Sequence, residues 1–192
     1  MADALSSTTG DSLRDHFLIA MPSLNDGFFG HAVTYICEHD AEGALGLVIN
    51  QPTELSLHEL LQHLELQPSG DLPELPVFRG GPVQPEHGFV LHTAEQTWRG
   101  SQPITDSLVL TTSLDVLEAI NAGQGPRRAL IALGHAGWGP GQLESELAEN
   151  AWLTARADPD ILFDRPSAER WAAAAALIGV DVNLISPASG HA

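Results

Sequence analysis

The sequence predicts an α+β protein, a mixed β-sheet with helices packed against it. The first reason is the order of its elements. β-favouring runs come as three strands, a helix, three more strands, and then helices interleaved with one strand, not the steady alternation of a doubly wound fold. The second is that successive strands are joined by short turns, which makes hairpins. The third is a strongly marked first helix, which separates the two groups of strands.

The chain opens with a polar lead-in, residues 1–12, expected to be flexible. His16 to Met21 is an apolar strand stopped by Pro22, and a Gly-containing loop runs from Ser23 to His31. Ala32 to His39 and Ala44 to Asn50 are strands around a tight turn at Asp40 to Gly43. The near-continuous apolar run of the second predicts burial on both faces. Ser56 and Glu59 form a capping box, and Leu57, Leu60, Leu61 and Leu64 make one helical stripe. Three prolines between Gln67 and Pro76 require an extended loop. Val77 to Arg79, Gly88 to His92 and Ser107 to Thr111 are the next strands. Thr112 or Ser113 caps a helix over about 114–121, stopped by Gly123. Arg128 to Gly134 is a central strand, followed by a glycine-rich turn and a helix at about 140–149. The last helix spans about 167–178, with Trp171, Ala174, Ala175 and Ile178 on one stripe. The ordered domain is expected over 13–185, with a loose tail at 186–192.

Composition narrows the function. The formal net charge is −17, and all eight basic residues are Arg. A nucleic-acid binder needs clustered cations to displace counterions from phosphates, and the only adjacent pair is Arg127-Arg128. Direct DNA or RNA binding and anionic membranes are therefore disfavoured. No apolar run approaches the ~20 residues of a membrane helix. A lone cysteine, Cys37, and the lack of a secretory signal predict a cytoplasmic, reducing location.

Two constellations are candidates for function. The segment Gly134-His-Ala-Gly-Trp-Gly-Pro-Gly-Gln-Leu-Glu144 lacks the Lys of a phosphate loop and the spacing of a dinucleotide loop, so no cofactor is predicted. Trp138, Gln142, Glu144, Asn150 and Trp152 compose a mixed polar and aromatic candidate surface for a ligand or partner. The competing explanation is that the two Trp rings cover the core. Cys37 and His39 share one strand face and form a candidate reactive-thiol region. Against it, Cys37 also shares that face with Val33 and Tyr35, as a small buried residue would. No metal site is predicted, because the nine His are scattered without a paired Cys-x-x-Cys or His-Glu-x-x-His.

These segments resemble the AlgH/YqgE-like family of bacterial proteins. The resemblance is carried by Phe17-Leu-Ile-Ala-Met-Pro22, Tyr35-Ile-Cys-Glu-His39, Gly43 to Pro52, Gly80-Gly-Pro-Val83, Gly88 to His92, the Gly134 to Glu144 segment, Glu149 to Leu153, Leu162-Phe163 and Trp171. It implies a branched sheet curled into a partial barrel. Some members are labelled transcriptional regulators linked to alginate production, and no catalytic residue or cofactor comes with the resemblance. The favoured expectation is a non-enzymatic regulatory or binding protein acting through an unknown protein or small-molecule partner. A thiol enzyme or redox sensor built on Cys37 and His39 is the alternative, and a direct DNA-binding regulator is a second one that the charge disfavours.

Overall fold

Strand β1 (His16–Ala20) is buried along nearly its whole length, and five consecutive residues of β2 (Val33–Asp40) are buried as well. Such runs require cover on both faces of the sheet. The computed structural model describes residues 11–21 and 30–185. The expected Ser23 to His31 loop falls mostly outside them, as do residues 1–10 and the tail after 185. Residues 11 and 12 are described, and Ser12 is docked: its hydroxyl donates to the His39 carbonyl oxygen at 3.0 Å.

The remaining elements are β3 (Gly43–Val48), α1 (Leu57–His63), β4 (Val77–Arg79), β5 (Val83–Thr93), β6 (Ser101–Pro103), β7 (Leu108–Thr111), α2 (Leu114–Asn121), β8 (Ala129–Trp138), α3 (Gln142–Ala148), β9 (Trp152–Arg156), α4 (Arg170–Ala176) and α5 (Val182–Ile185). A π-helical turn at Asp160–Asp164 and a 3-10 turn at Ser167–Glu169 precede α4. Among the described residues no helix is long and apolar enough to cross a membrane.

The sheet runs β6-β7-β5-β8-β3-β2-β1-β9, with β4 attached to β8 off this path. All pairings are antiparallel except β4 with β8. β8 is the branch. Its first half pairs with β5 and with β4, and its second half pairs with β3. The sheet curls into a half-barrel around an interior that includes Phe17, Tyr35, Leu47, Phe78, Leu91 and Ala174. α3 covers one outer patch around Leu18, Ile36, Trp138 and Trp152. α1 and α2 cover another around Val77, Val90, Leu117 and Ile131. The expected α+β class and curled, branched sheet are both found.

Local sequence explains much of this. Ser56 accepts from the Glu59 backbone N–H while Glu59 accepts from the Ser56 N–H, so the capping box starts α1 as read. The strand after Arg128 is longer than expected. It continues through Gly134 to Trp138, so most of the supposed glycine-rich turn is sheet. The reason is close approach. Gly134 adopts φ +74°, and a Cβ there would sit 2.4 Å from the Gly81 carbonyl oxygen. The expected stripe of the last helix also changes. Helix α4 ends at Ala176, and Ile178 is exposed beside Gly179, whose φ of +74° turns the chain away.

Candidate functional site

Trp138 ends β8 and Trp152 begins β9, on either side of α3. The two rings meet edge to face, 6.2 Å between centroids. They are only 7% and 5% exposed. Both indole N–H groups donate to one carboxylate oxygen of Glu146, at 2.6 and 3.4 Å. The rings are the floor under α3 and cover the core, as the competing explanation had it. Burying a Trp requires a partner for its N–H, and Glu146 supplies it for both.

The polar members stay outside. Gln142 folds back to accept from the Gly139 N–H at 3.0 Å, and Asn150 turns the chain with φ +58°. Glu144 is exposed and meets His39 at 2.6 Å. The Leu13 N–H donates to Nδ1 of His39 at 2.9 Å, so the ring proton sits on Nε2 and points at Glu144. Its own backbone N–H, in the first turn of α3, and the His39 hydrogen bond together hold the Glu144 carboxyl below its ordinary range.

Cys37 and His39 do not share a face. The β2–β3 register shifts between Ile36 and Glu38, a bulge that resets the side-chain alternation. Cys37 packs in the half-barrel interior, while His39 turns to Leu13 and α3. The thiol is fully buried, and burial pushes its pKa up, with Glu38 adding to the effect. A thiolate nucleophile needs access and a depressed pKa, and Cys37 has neither. Iodoacetamide at pH 8 is expected to leave Cys37 unmodified in the folded protein and to label it fully in urea, as read by intact mass. Labelling of the native protein within minutes would contradict this.

Other charges are also committed. The guanidinium of Arg128 lies 3.1 Å from Asp164 and 3.6 Å from Asp160, so the only adjacent basic pair in the chain is partly neutralised. Among the described residues no three His, Cys, Asp or Glu side chains gather as a metal site would need.

The structure opens a site that sequence reasoning missed. A cleft of about 300 Å³ lies between α1, α2 and the outer face of β5 and β8. Leu60, Leu64, Val90, Leu117, Ile131 and Leu133 form its apolar wall. Leu64 and Leu114, both lining it, are 38% and 42% exposed. Beneath them the sheet has no side chain at Gly88. Phe89 faces the half-barrel interior, and Val90 faces the helices, so position 88 shares the cleft side. A Cβ on Gly88 would meet nothing within 4 Å. The polar lining of the cleft includes Glu86, Thr112 and Ser113. Glu86 is carried there by a wide bulge: Val83 pairs with His135 and Gly88 with Leu133, so residues 84–87 arch out opposite Gly134 alone. The buried Thr111 hydroxyl is already engaged by His92 and Ser101, at 2.7 Å each. The sequence signals for this site were Gly88 opening an apolar strand and Leu64 completing a helical stripe, and neither looks functional until α2 arrives across the sheet.

A family described as AlgH-like matches residues 17–183. A UPF0301 protein of Thioalkalivibrio sulfidiphilus is 53% identical over 96% of this chain and all of its own. A UPF0301 protein of Methylococcus capsulatus is 48% identical over 96% of this chain and 99% of its own. The solution structure of the AlgH protein from Pseudomonas aeruginosa covers both chains fully, with 46% identity and a TM-score of 0.79. A protein of Corynebacterium diphtheriae, 20% identical over 88% of each chain, has the same fold at a TM-score of 0.68.

Proposed function

The chain belongs to the AlgH-like family, and within it we propose that this protein is a non-enzymatic binding protein that takes a small apolar ligand into the α1–α2 cleft. The observation that carries this reading is the open floor at Gly88 beneath two helices whose exposed leucines line the opening. Apolar clefts with a few polar groups at one end are the usual form of small-molecule sites. Any effect on transcription, including the link to alginate production that the resemblance suggests, runs through that ligand or a protein partner. A polyanion would meet a net charge of −17 and an Arg128 already bridged to two aspartates. A protein docking at α3 would find Gln142, Glu144 and Asn150, but not the Trp rings. The thiol alternative is weakened by the burial of Cys37.

Gly88→Leu fills the cleft from its floor. The position has no neighbour to clash with and no left-handed φ, so the strand should accept the side chain. 1-Octanol, added to isotopically labelled protein, is expected to shift the amide signals of Val90, Leu117 and Leu133. In Gly88→Leu that binding should weaken at least about tenfold, the amount a filled apolar pocket costs, while the rest of the spectrum is kept. Unchanged binding by a folded Gly88→Leu protein would rule the cleft out as the site.

A further inference from the structure

We infer that the ligand of this cleft is a short amphiphile whose polar head is uncharged or cationic and donates a hydrogen bond, an alcohol or amine rather than a carboxylate or phosphate. The inference rests on the cleft being the binding site and adds the chemistry of its occupant. Three observations support it.

The first is the charge of the lining. Glu86 is the only ionisable side chain among the residues that line the cleft, and no Arg is among them. A carboxylate head would lose water without gaining a counter-ion and would lie beside a like charge, whereas a hydroxyl or ammonium head finds an acceptor. The second is the start of α2, a helix terminus of the sign that attracts anions, beside the lining residues Thr112 and Ser113. It is already occupied, because Asp115 sits in the first turn and its carboxylate accepts from the Ser113 hydroxyl and the Arg99 N–H. The third is size. About 300 Å³ lies at the lower limit of ligand pockets, which run from roughly 300 to 1,000 Å³. That suits a short aliphatic or aromatic body and not a long-chain lipid.

The test titrates 1-octanol, octylammonium and octanoate, each below its aggregation limit, into the full-length protein at pH 7.4. The readout is the amide shifts of Val90, Leu117 and Leu133. Octanol and octylammonium should bind, and octanoate should be weaker by about tenfold, as an unpaired charge in an apolar site requires. Glu86→Gln keeps an acceptor oxygen but loses the charge, so it should weaken octylammonium more than octanol and narrow the octanoate gap to about threefold, the screened share of a surface charge. If octanoate binds wild type as tightly as octanol, the proposed head-group chemistry is wrong and the cleft remains a site. If the preference survives Glu86→Gln unaltered, Glu86 does not set it and the inference fails. If none of the three probes shifts those signals, the cleft reading falls together with the ligand class.

Discussion

Gly81→Ala is expected to destabilise the folded state severely. An added Cβ would lie 2.0 Å from the carbonyl carbon of His135, 2.1 Å from its oxygen and 2.3 Å from the Ala136 nitrogen. All three atoms are backbone of β8, so no side-chain rotation relieves the clash. β8 would have to move away from the Gly80–Gly81 turn, where the Gly80 N–H donates to Leu133 and the Gly80 oxygen accepts from Val48, both at 2.8 Å. These bonds join the two halves of the sheet. The cost should exceed about 4 kcal/mol, a large share of the roughly 5–15 kcal/mol that holds a domain together. Gly70→Ala is the matched control, because its Cβ would meet nothing within 4 Å, and its effect should stay within about 0.5 kcal/mol. Urea unfolding followed by circular dichroism measures both. A folded Gly81→Ala protein within about 1 kcal/mol of wild type would show that the turn and β8 do not approach so closely.

Arg170→Met carries the second large effect. Arg170 is 5% exposed at the start of α4. Its Nε donates to the Arg165 carbonyl at 2.9 Å and its NH1 to the Ile49 carbonyl at 2.5 Å, while the guanidinium lies 5.0 Å from the centre of the Phe78 ring. Burial pulls its pKa down to about 10, with Asp164 acting in the opposite direction, so it stays charged near neutral pH. Buried ion pairs can often be replaced by apolar residues without loss when both partners go. Here the partners are main-chain carbonyls that no mutation removes, so methionine would leave the buried Ile49 carbonyl unpaired and the part-buried Arg165 carbonyl without its donor. A loss of about 2–4 kcal/mol follows, with the larger part from the hydrogen bonds and the smaller from the ring contact. Arg170→Lys should fall between, since one ammonium cannot span both carbonyls in the guanidinium geometry. Unfolding midpoints of the three proteins decide it, and a methionine variant as stable as wild type would refute the assignment.

What the sequence made legible was whatever local chemistry decides. The Ser56–Glu59 capping box and the 114–121 helix needed no information beyond a few neighbouring residues. The Asp40–Gly43 turn was equally local. Features set by distant segments were not legible. The glycines after Leu133 have the composition of a turn, and only the arrival of Gly81 explains why they are strand. β9 was hidden because Trp152 and Asn150 look like surface residues until β1 pairs alongside from the other end of the chain. Cys37 and His39 have the spacing of a shared face, and one bulged residue separates them. Arg170 resembles any helical arginine, since nothing near it in sequence announces the Ile49 carbonyl. For the same reason the cleft could not be read: its walls come from two helices and two strands that meet only in the folded chain.

The branching of β8 also has a consequence in time. β3, β4 and β5 each take one partner from a strand that begins at Ala129. On a ribosome those three segments emerge well before β8, and until it arrives the main-chain donors and acceptors on their β8 side are unsatisfied. Non-local pairings of this kind are slow to form and leave the growing chain prone to sticking to its neighbours. The early capping of α1 and the excess of negative charge would act together as protection during that wait, one by fixing structure locally and the other by keeping nascent copies apart.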